Sequence, residues 1–329
     1  MRRITGCLPL AAALLVLAGC GDDSGGGSEE TAAPSAAASD ETEPENEGEG
    51  EGEGEGEEEP VADVACADGP PQAVVADAGD EPRALMELTP TAGDSAATTM
   101  TMTTTTSTTI DGEALPAAPV PPMTMGMVIT VDDVADDEIT MSVVYDSAEI
   151  EGGDPTAQGL LDTMVGLTAT VTSTRSGAFI DGGYDTEGLD PTLVPLLEQF
   201  ESQLSSLTVP LPTEPVGVGA TWDVATSAEL LGGTLCNVYT YTLTSFDGDS
   251  YEMTAEIAQQ AQPGPLEMGG ATAELEELTG SGSGTTGGRL SFPVAVSGSS
   301  DITTSTVISA DGQTMEQESK VQMELTPRD

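Results

Sequence analysis

The chain has 329 residues, 58 of them Asp or Glu against 7 Lys or Arg, with no His, one Trp and 3% aromatic residues. A net charge of −51 offers no cationic surface to neutralise phosphates, which excludes nucleic acid as a partner, and an anionic lipid surface repels such a chain. The absence of His removes imidazole acid–base chemistry, Ser-His and Cys-His nucleophile pairs and the commonest zinc or copper ligand.

Arg2 and Arg3 precede an apolar run from Leu8 to Leu17 that stops at Leu17-Ala18-Gly19-Cys20. The run is too short to span a bilayer, which takes about 20 residues, and reads as a secretion signal over 1–19. Cys directly after Leu-Ala-Gly resembles a bacterial lipobox, which implies cleavage before Cys20 and acylation of its thiol (diacylglycerol, palmitate). That lipid is then the expected anchor to the cell membrane on the extracytoplasmic side. From Gly21 to Val64 there are seventeen acidic residues and no basic ones, with strict Glu-Gly alternation from Glu47 to Glu57. Such a segment cannot bury enough apolar surface to fold; as a flexible tether its 44 residues reach roughly 35 to 40 Å end to end. Collection of Ca²⁺ along the Glu-Gly run is the sharper alternative, weakened by the lack of a preformed cage. Cys7 leaves with the signal and Cys20 takes the lipid, so Cys66 and Cys236 are expected to form a disulfide in an oxidising compartment. Two free thiols acting as a redox or metal pair are the alternative.

Residues 65–329 read as a single β-rich domain with 41 acidic and 5 basic residues. The alternation predicts strands over Ala97–Ile110, Met123–Val131, Ile139–Tyr145, Leu167–Ser173, Ala178–Tyr184, Thr234–Phe246, Ser250–Gln259, Ile302–Ala310 and Thr314–Leu325. Asp311-Gly312 suits a tight hairpin turn. Nine to eleven strands follow, mostly antiparallel. Asp154-Pro155 and Asp190-Pro191 each place a capping side chain before a proline, predicting helices to about Val165 and Ser206. The first has Leu160, Leu161, Met164 and Val165 on one side; the second has Leu193, Leu196, Leu197, Phe200, Leu204 and Leu207. The expected architecture is α+β, a large curved antiparallel half-barrel sheet with two helices packed on one face. Gly280, Gly282 and Gly284 would leave room there for a bend or a close helix.

Lipobox, acidic linker, strands, two helices and then Pro210-Leu-Pro-Thr-Glu-Pro-Val-Gly-Val-Gly-Ala-Thr-Trp222 together resemble an uncharacterised, mainly actinobacterial lipoprotein family classed as a domain of unknown function. The resemblance extends to Tyr239-Thr-Tyr-Thr-Leu and Gly280-Ser-Gly-Ser-Gly, covers roughly Ala84 to Leu325, and implies no activity. The architecture is similar to half-barrel lipoprotein carriers of the LolA and LppX kind, which implies an acyl chain held between sheet and helices.

Met100-x-Met102 and Met123-x-Met125-x-Met127 put thioethers at alternate positions. Soft thioethers select Cu(I), but on one strand face Met is more simply core filler or the lining of an apolar pocket. The expected pocket residues are Met123, Met125, Met127, Leu193, Leu197, Phe200 and Leu204. O-linked sugars on Thr98–Thr109 and a phosphate loop at Gly280–Gly288 give way to strand readings. Asp132-Asp133, Asp136-Asp137-Glu138 and Asp247 with Asp249 read as solvated turns. Lys320, the sole lysine, falls on the solvent face of the last strand, which disfavours a Ser-Lys dyad. No cofactor, metal or catalytic residue is assigned. The reading is a non-enzymatic envelope lipoprotein holding a lipid or other apolar ligand. An acidic scaffold or interaction module that meets a cationic partner or divalent ions is the alternative, and a carboxylate-based hydrolase comes third.

Overall fold

The computed structural model describes residues 71–329 apart from positions 118–119, 154, 187–196, 198–203, 205–206, 231–232, 269–270, 311 and 329. The strands in chain order are β1 (Ala73–Asp77), β2 (Ser95–Ile110), β3 (Glu113–Ala114), β4 (Met123–Ala135), β5 (Glu138–Ile150), β6 (Thr168–Thr174) and β7 (Phe179–Tyr184). They continue with β8 (Thr221–Leu230), β9 (Gly233–Phe246), β10 (Ser250–Ala261), β11 (Gly264–Met268), β12 (Ala271–Arg289), β13 (Ser297–Ala310) and β14 (Gln313–Arg328). All join one antiparallel sheet in the order β1-β8-β9-β10-β12-β13-β14-β2-β4-β5-β6-β7, with β11 on β12 and β3 on β2. β10 and β11 share one register, since Ala261 pairs with Leu278 and Gly264 with Leu275, so they form a single long strand broken at Gln262 and Pro263.

Period-2 patterning places the core on the inner face. Ile139, Met141 and Val143 are fully buried, and Val131 and Ile129, directly opposite Met141 and Val143, are almost so. A bulge between Val131 and Asp133 lets the strand continue through Ala135, so Asp132 and Asp133 lie in β4 and the turn proper is Asp136-Asp137. Asp136 takes a left-handed φ of 51° there, as a tight hairpin turn requires. The turn between β13 and β14 carries Gly312 at φ 80° in the same way.

The expected α+β class with two helices on one sheet face is overturned. Among the described residues the one continuous helix is α1 (Pro155–Asp162), and it docks at the end of β5. The Ile150 N–H donates to Gln158 Oε1 at 3.0 Å, and Gln158 Nε2 donates to the Ala148 carbonyl at 2.9 Å. The helix stops short of Val165, which is exposed, because the chain turns through Gly166 at φ 91°. The second expected helix falls outside the described residues except at Leu197 and Leu204, both helical and buried. Gln158→Ala should cost about 1 to 2 kcal/mol by leaving the Ile150 N–H unpaired. An unchanged denaturation midpoint would refute that docking role.

Among the described residues, the sheet itself, its connecting segments and the helical Leu197 and Leu204 pack on the inner face. One core cluster unites Met141 and Val171 with Trp222, Leu243 and Met253, and includes Met86, Leu88 and Leu211 from the connections. Leu88 N–H bonds the Arg175 carbonyl at 2.8 Å and Leu211 N–H the Ser176 carbonyl at 2.7 Å, while Ala84 and Val216 form an antiparallel bridge. These connections draw the β6–β7 end of the open sheet toward its β1–β8 end. A second, smaller cluster of Ala261, Leu266, Leu275, Leu278 and Ile308 lies farther along the long strands. Between the two runs a polar belt. Gln259 Nε2 donates to Asn237 Oδ1 at 2.9 Å, and Thr304 donates to Gln259 Oε1 at 3.1 Å. Gly280 makes that belt possible, because a Cβ there would meet the Gln259 side chain and the Thr304 hydroxyl. The space left by Gly280 is therefore taken by the Gln259 side chain.

Candidate functional site

The expected pocket residues are brought together as packing. Met123, Met125, Met127, Leu197 and Leu204 share the main core cluster, none more than 7% exposed. Leu193 and Phe200 lie outside the described residues. Deeper in, Trp222 stacks on Tyr241 at 5.8 Å between ring centroids, and Tyr241 on Tyr239 at 6.1 Å. Trp222 Nε1 donates to the Pro210 carbonyl at 3.1 Å, which satisfies the one polar group of a fully buried indole. Burial pushes the phenols of Tyr145, Tyr239, Tyr241 and Tyr251 upward, Tyr251 to about 12. At Tyr145 the hydrogen bond with Tyr184, 3.0 Å between the hydroxyls, acts in the opposite direction.

An open cavity of about 690 Å³ lies on the outer face, across β10, β12, β13, β14 and β2. Strand register builds it from two successive rungs. One is Thr254–Thr285–Ser299–Glu324–Thr101 and the next is Glu256–Ser283–Asp301–Gln322–Thr103. The trough thus presents hydroxyls, one amide and three carboxylates, and no basic residue lines it. Lys320 sits just beyond, 3.0 Å from Asp301 Oδ2, with its side chain 48% exposed on the solvent face. Hydrogen bonds from Lys320 and Gln322 hold the Asp301 carboxyl below its ordinary range. Thr285 and Ser299 hydroxyls pair at 2.9 Å across the same strands.

Asp247 serves a turn. Asp247 Oδ1 accepts the N–H groups of Asp249 and Ser250 at 3.1 and 2.8 Å, which lowers its carboxyl's pKa. Among the described residues no group of three or more Cys, Asp or Glu side chains could hold a metal ion, and no helix is long and apolar enough to cross a membrane. Cys236 is disulfide-bonded and 3% exposed; Cys66 lies outside the described residues.

The Pro-Val-Gly-Val-Gly-Ala-Thr-Trp run forms a clasp. Val216, Ala220 and Trp222 are fully buried, while the backbone of Gly217 presses on the carbonyl of Asp80 so closely that a Cβ would collide with it. Residues 197–287 match a family of unknown function (DUF6263). The matched stretch contains this clasp, the aromatic stack and β10, but only the first half of the trough. No curated protein matches the chain. Among solved structures, a Salmonella typhi OmpF complex with daunomycin aligns at 7% identity and a TM-score of 0.19, covering 70% of this chain and 98% of that one. At that score the likeness supports no statement about fold or function.

Sequence patterning did not single out the trough, because Thr, Ser and Glu at exposed strand positions look like any solvated face. Register alone assembles the two rungs, and nothing local in the sequence pairs β14 with β2.

Proposed function

We propose that the chain is a non-enzymatic, lipid-anchored protein of the cell envelope whose β domain, carried on its acidic tether, binds a cationic extracytoplasmic partner in the outer-face trough. The observation that carries this reading is the pair of five-strand rungs with Glu256, Asp301 and Glu324 and no basic lining residue. Strongly anionic surroundings raise the local concentration and on-rate of a cationic ligand. A proton-donating carboxyl would need a raised pKa, whereas the two carboxyls that shift among the described residues, Asp247 and Asp301, are lowered. Five of the seven residues assigned to an acyl-chain pocket, Met123, Met125, Met127, Leu197 and Leu204, pack into the main core, which favours the interaction module over the carrier.

A secreted Cys20→Ser form, free of anchor lipid, tests the reading. A short oligolysine peptide should bind it, weaken with added salt, and lose at least about fivefold in affinity in a Glu256→Gln/Asp301→Asn/Glu324→Gln variant. Binding untouched by those substitutions would mean that overall charge is sufficient and would sink the trough. Stoichiometric acyl lipid in native mass spectrometry would return the carrier reading. The anchor is checked separately, by palmitate labelling that disappears in Cys20→Ala.

A further inference from the structure

On the inner face of the same strands, register brings together methionines that are far apart in sequence. Met323 on β14 pairs with Met102 on β2, and Met102 pairs with Met123 on β4, so three thioethers stand side by side in one rung. The next rung sets Met100 directly opposite Met125. Residues directly opposite in an antiparallel pair have Cβ atoms about 4.5–5.5 Å apart, within reach of one another for a side chain with three rotatable bonds. Met102 and Met123 are 8% and 7% exposed, whereas Met323 is 39% exposed. The reason is its other neighbours: beyond Met323 the rung continues through Ser300, Gly284 and Ala255, whose small side chains leave the thioether open to solvent.

We propose that Met102, Met123 and Met323 form a site for one soft monovalent cation, Cu(I), with Met100 and Met125 as adjacent donors. Thioether sulfur is a soft, neutral ligand that selects Cu(I) over the hard divalent cations, which prefer oxygen. Three donors on adjacent strands are fixed by the sheet, and Met323 provides the entry. The anionic domain favours a cation there, while the rung itself carries no carboxylate. Binding involves no change of oxidation state and no proton release, because a thioether has no proton to lose.

The secreted Cys20→Ser full chain, whose anchor thiol is gone, is loaded anaerobically with Cu(I) or with Ag(I) as a redox-inert probe, then washed with excess Mg²⁺. One ion per chain should remain by native mass spectrometry, and X-ray absorption of the copper form should show a sulfur-only first shell. Met→Leu keeps side-chain volume, so Met323→Leu, Met102→Leu and Met123→Leu should each weaken competition against a chromophoric Cu(I) chelator at least tenfold. The triple variant should lose the site, while Met141→Leu and Met253→Leu, in the same core but outside the rung, should leave affinity unchanged. Loss of the ion in the Mg²⁺ wash, oxygen in the first shell, or full retention by the triple variant would each overturn the assignment.

Discussion

Raising the pH from 10 to 12 should unfold the domain in one transition, with tyrosinate absorbance appearing together with the loss of near-ultraviolet circular dichroism. Four of the five tyrosines have phenols pushed up by burial, and the sign follows from that direction. Below the ordinary phenol value of 10 both folded and unfolded chains are protonated, and stability is complete. Above it the unfolded chain ionises while the folded chain cannot, so stability falls with pH until the folded phenols also ionise. Tyr251, only 4% exposed and raised from 10 to about 12, accounts for about 2 to 3 kcal/mol of that loss at 1.36 kcal/mol per pH unit. Tyr241, Tyr239 and Tyr145 act in the same direction, and typical domains have only about 5–15 kcal/mol to lose. Lys320 is the one lysine in the chain, so almost nothing else titrates in this window. Tyr251→Phe should move the midpoint upward. Gradual titration near pH 10 with the fold intact would contradict the burial of these rings.

Strict alternation makes the strands and the core legible, whereas the two Asp-Pro caps point to a fold class the structure does not have. Odd-numbered residues from Met123 to Tyr145 announce the β4–β5 hairpin, and Asp311-Gly312 announces the β13–β14 turn. Strand β8 is quieter, because only Trp222 and Val224 mark its inner face before the polar belt begins at Thr226. β1 is five residues long, and β11 is cut from β10 by Gln262 and Pro263, so both lack a pattern long enough to read. The expected class rested on the Asp154-Pro155 and Asp190-Pro191 caps and the apolar faces behind them; the first opens only the short α1 at the end of β5, and the second lies outside the described residues. Here Met141 and Val171 at one end of the strand order share a core with Trp222 and Leu243 near the other, and Leu88 and Leu211 from the connections join the same core.

Both candidate sites depend on pairings that no local pattern contains. Met102 and Met123 belong to motifs visible in the sequence, but Met323 joins them through β14 meeting β2, two strands more than two hundred residues apart. The trough depends on the same pairing. The methionine stripe was legible as a buried face, and its third thioether was not. Conversely, the most specific run in the sequence, Pro215 to Trp222, turns out to hold the fold together at β8 and to line neither site.

Replacing Gly217 with Ala should therefore cost more than any other single-methyl addition in that run. A Cβ there would collide with the Asp80 carbonyl oxygen, and it would also lie about 3.1 Å from the Pro82 carbonyl. Neither oxygen can yield cheaply. Asp80 N–H already bonds the Val218 carbonyl at 2.9 Å, Gly217 N–H bonds the Ala78 carbonyl at 2.9 Å, and the Ala84–Val216 bridge closes the far side. Overpacking of a held backbone costs about 1–3 kcal/mol, and this geometry belongs at the upper end. Gly219→Ala is the control, since its strain is purely conformational: φ is +86° and no atom lies within 4 Å of the added methyl. That change should cost about 1 kcal/mol. Urea midpoints should fall for both with unchanged slopes, Gly217→Ala by at least twice as much. Because Trp222 and its bond to Pro210 sit at the end of the same clasp, Gly217→Ala should also loosen the indole and shift its fluorescence toward the red. Equal midpoint losses for the two glycines would show that backbone conformation, rather than the contact with Asp80, fixes glycine in this run.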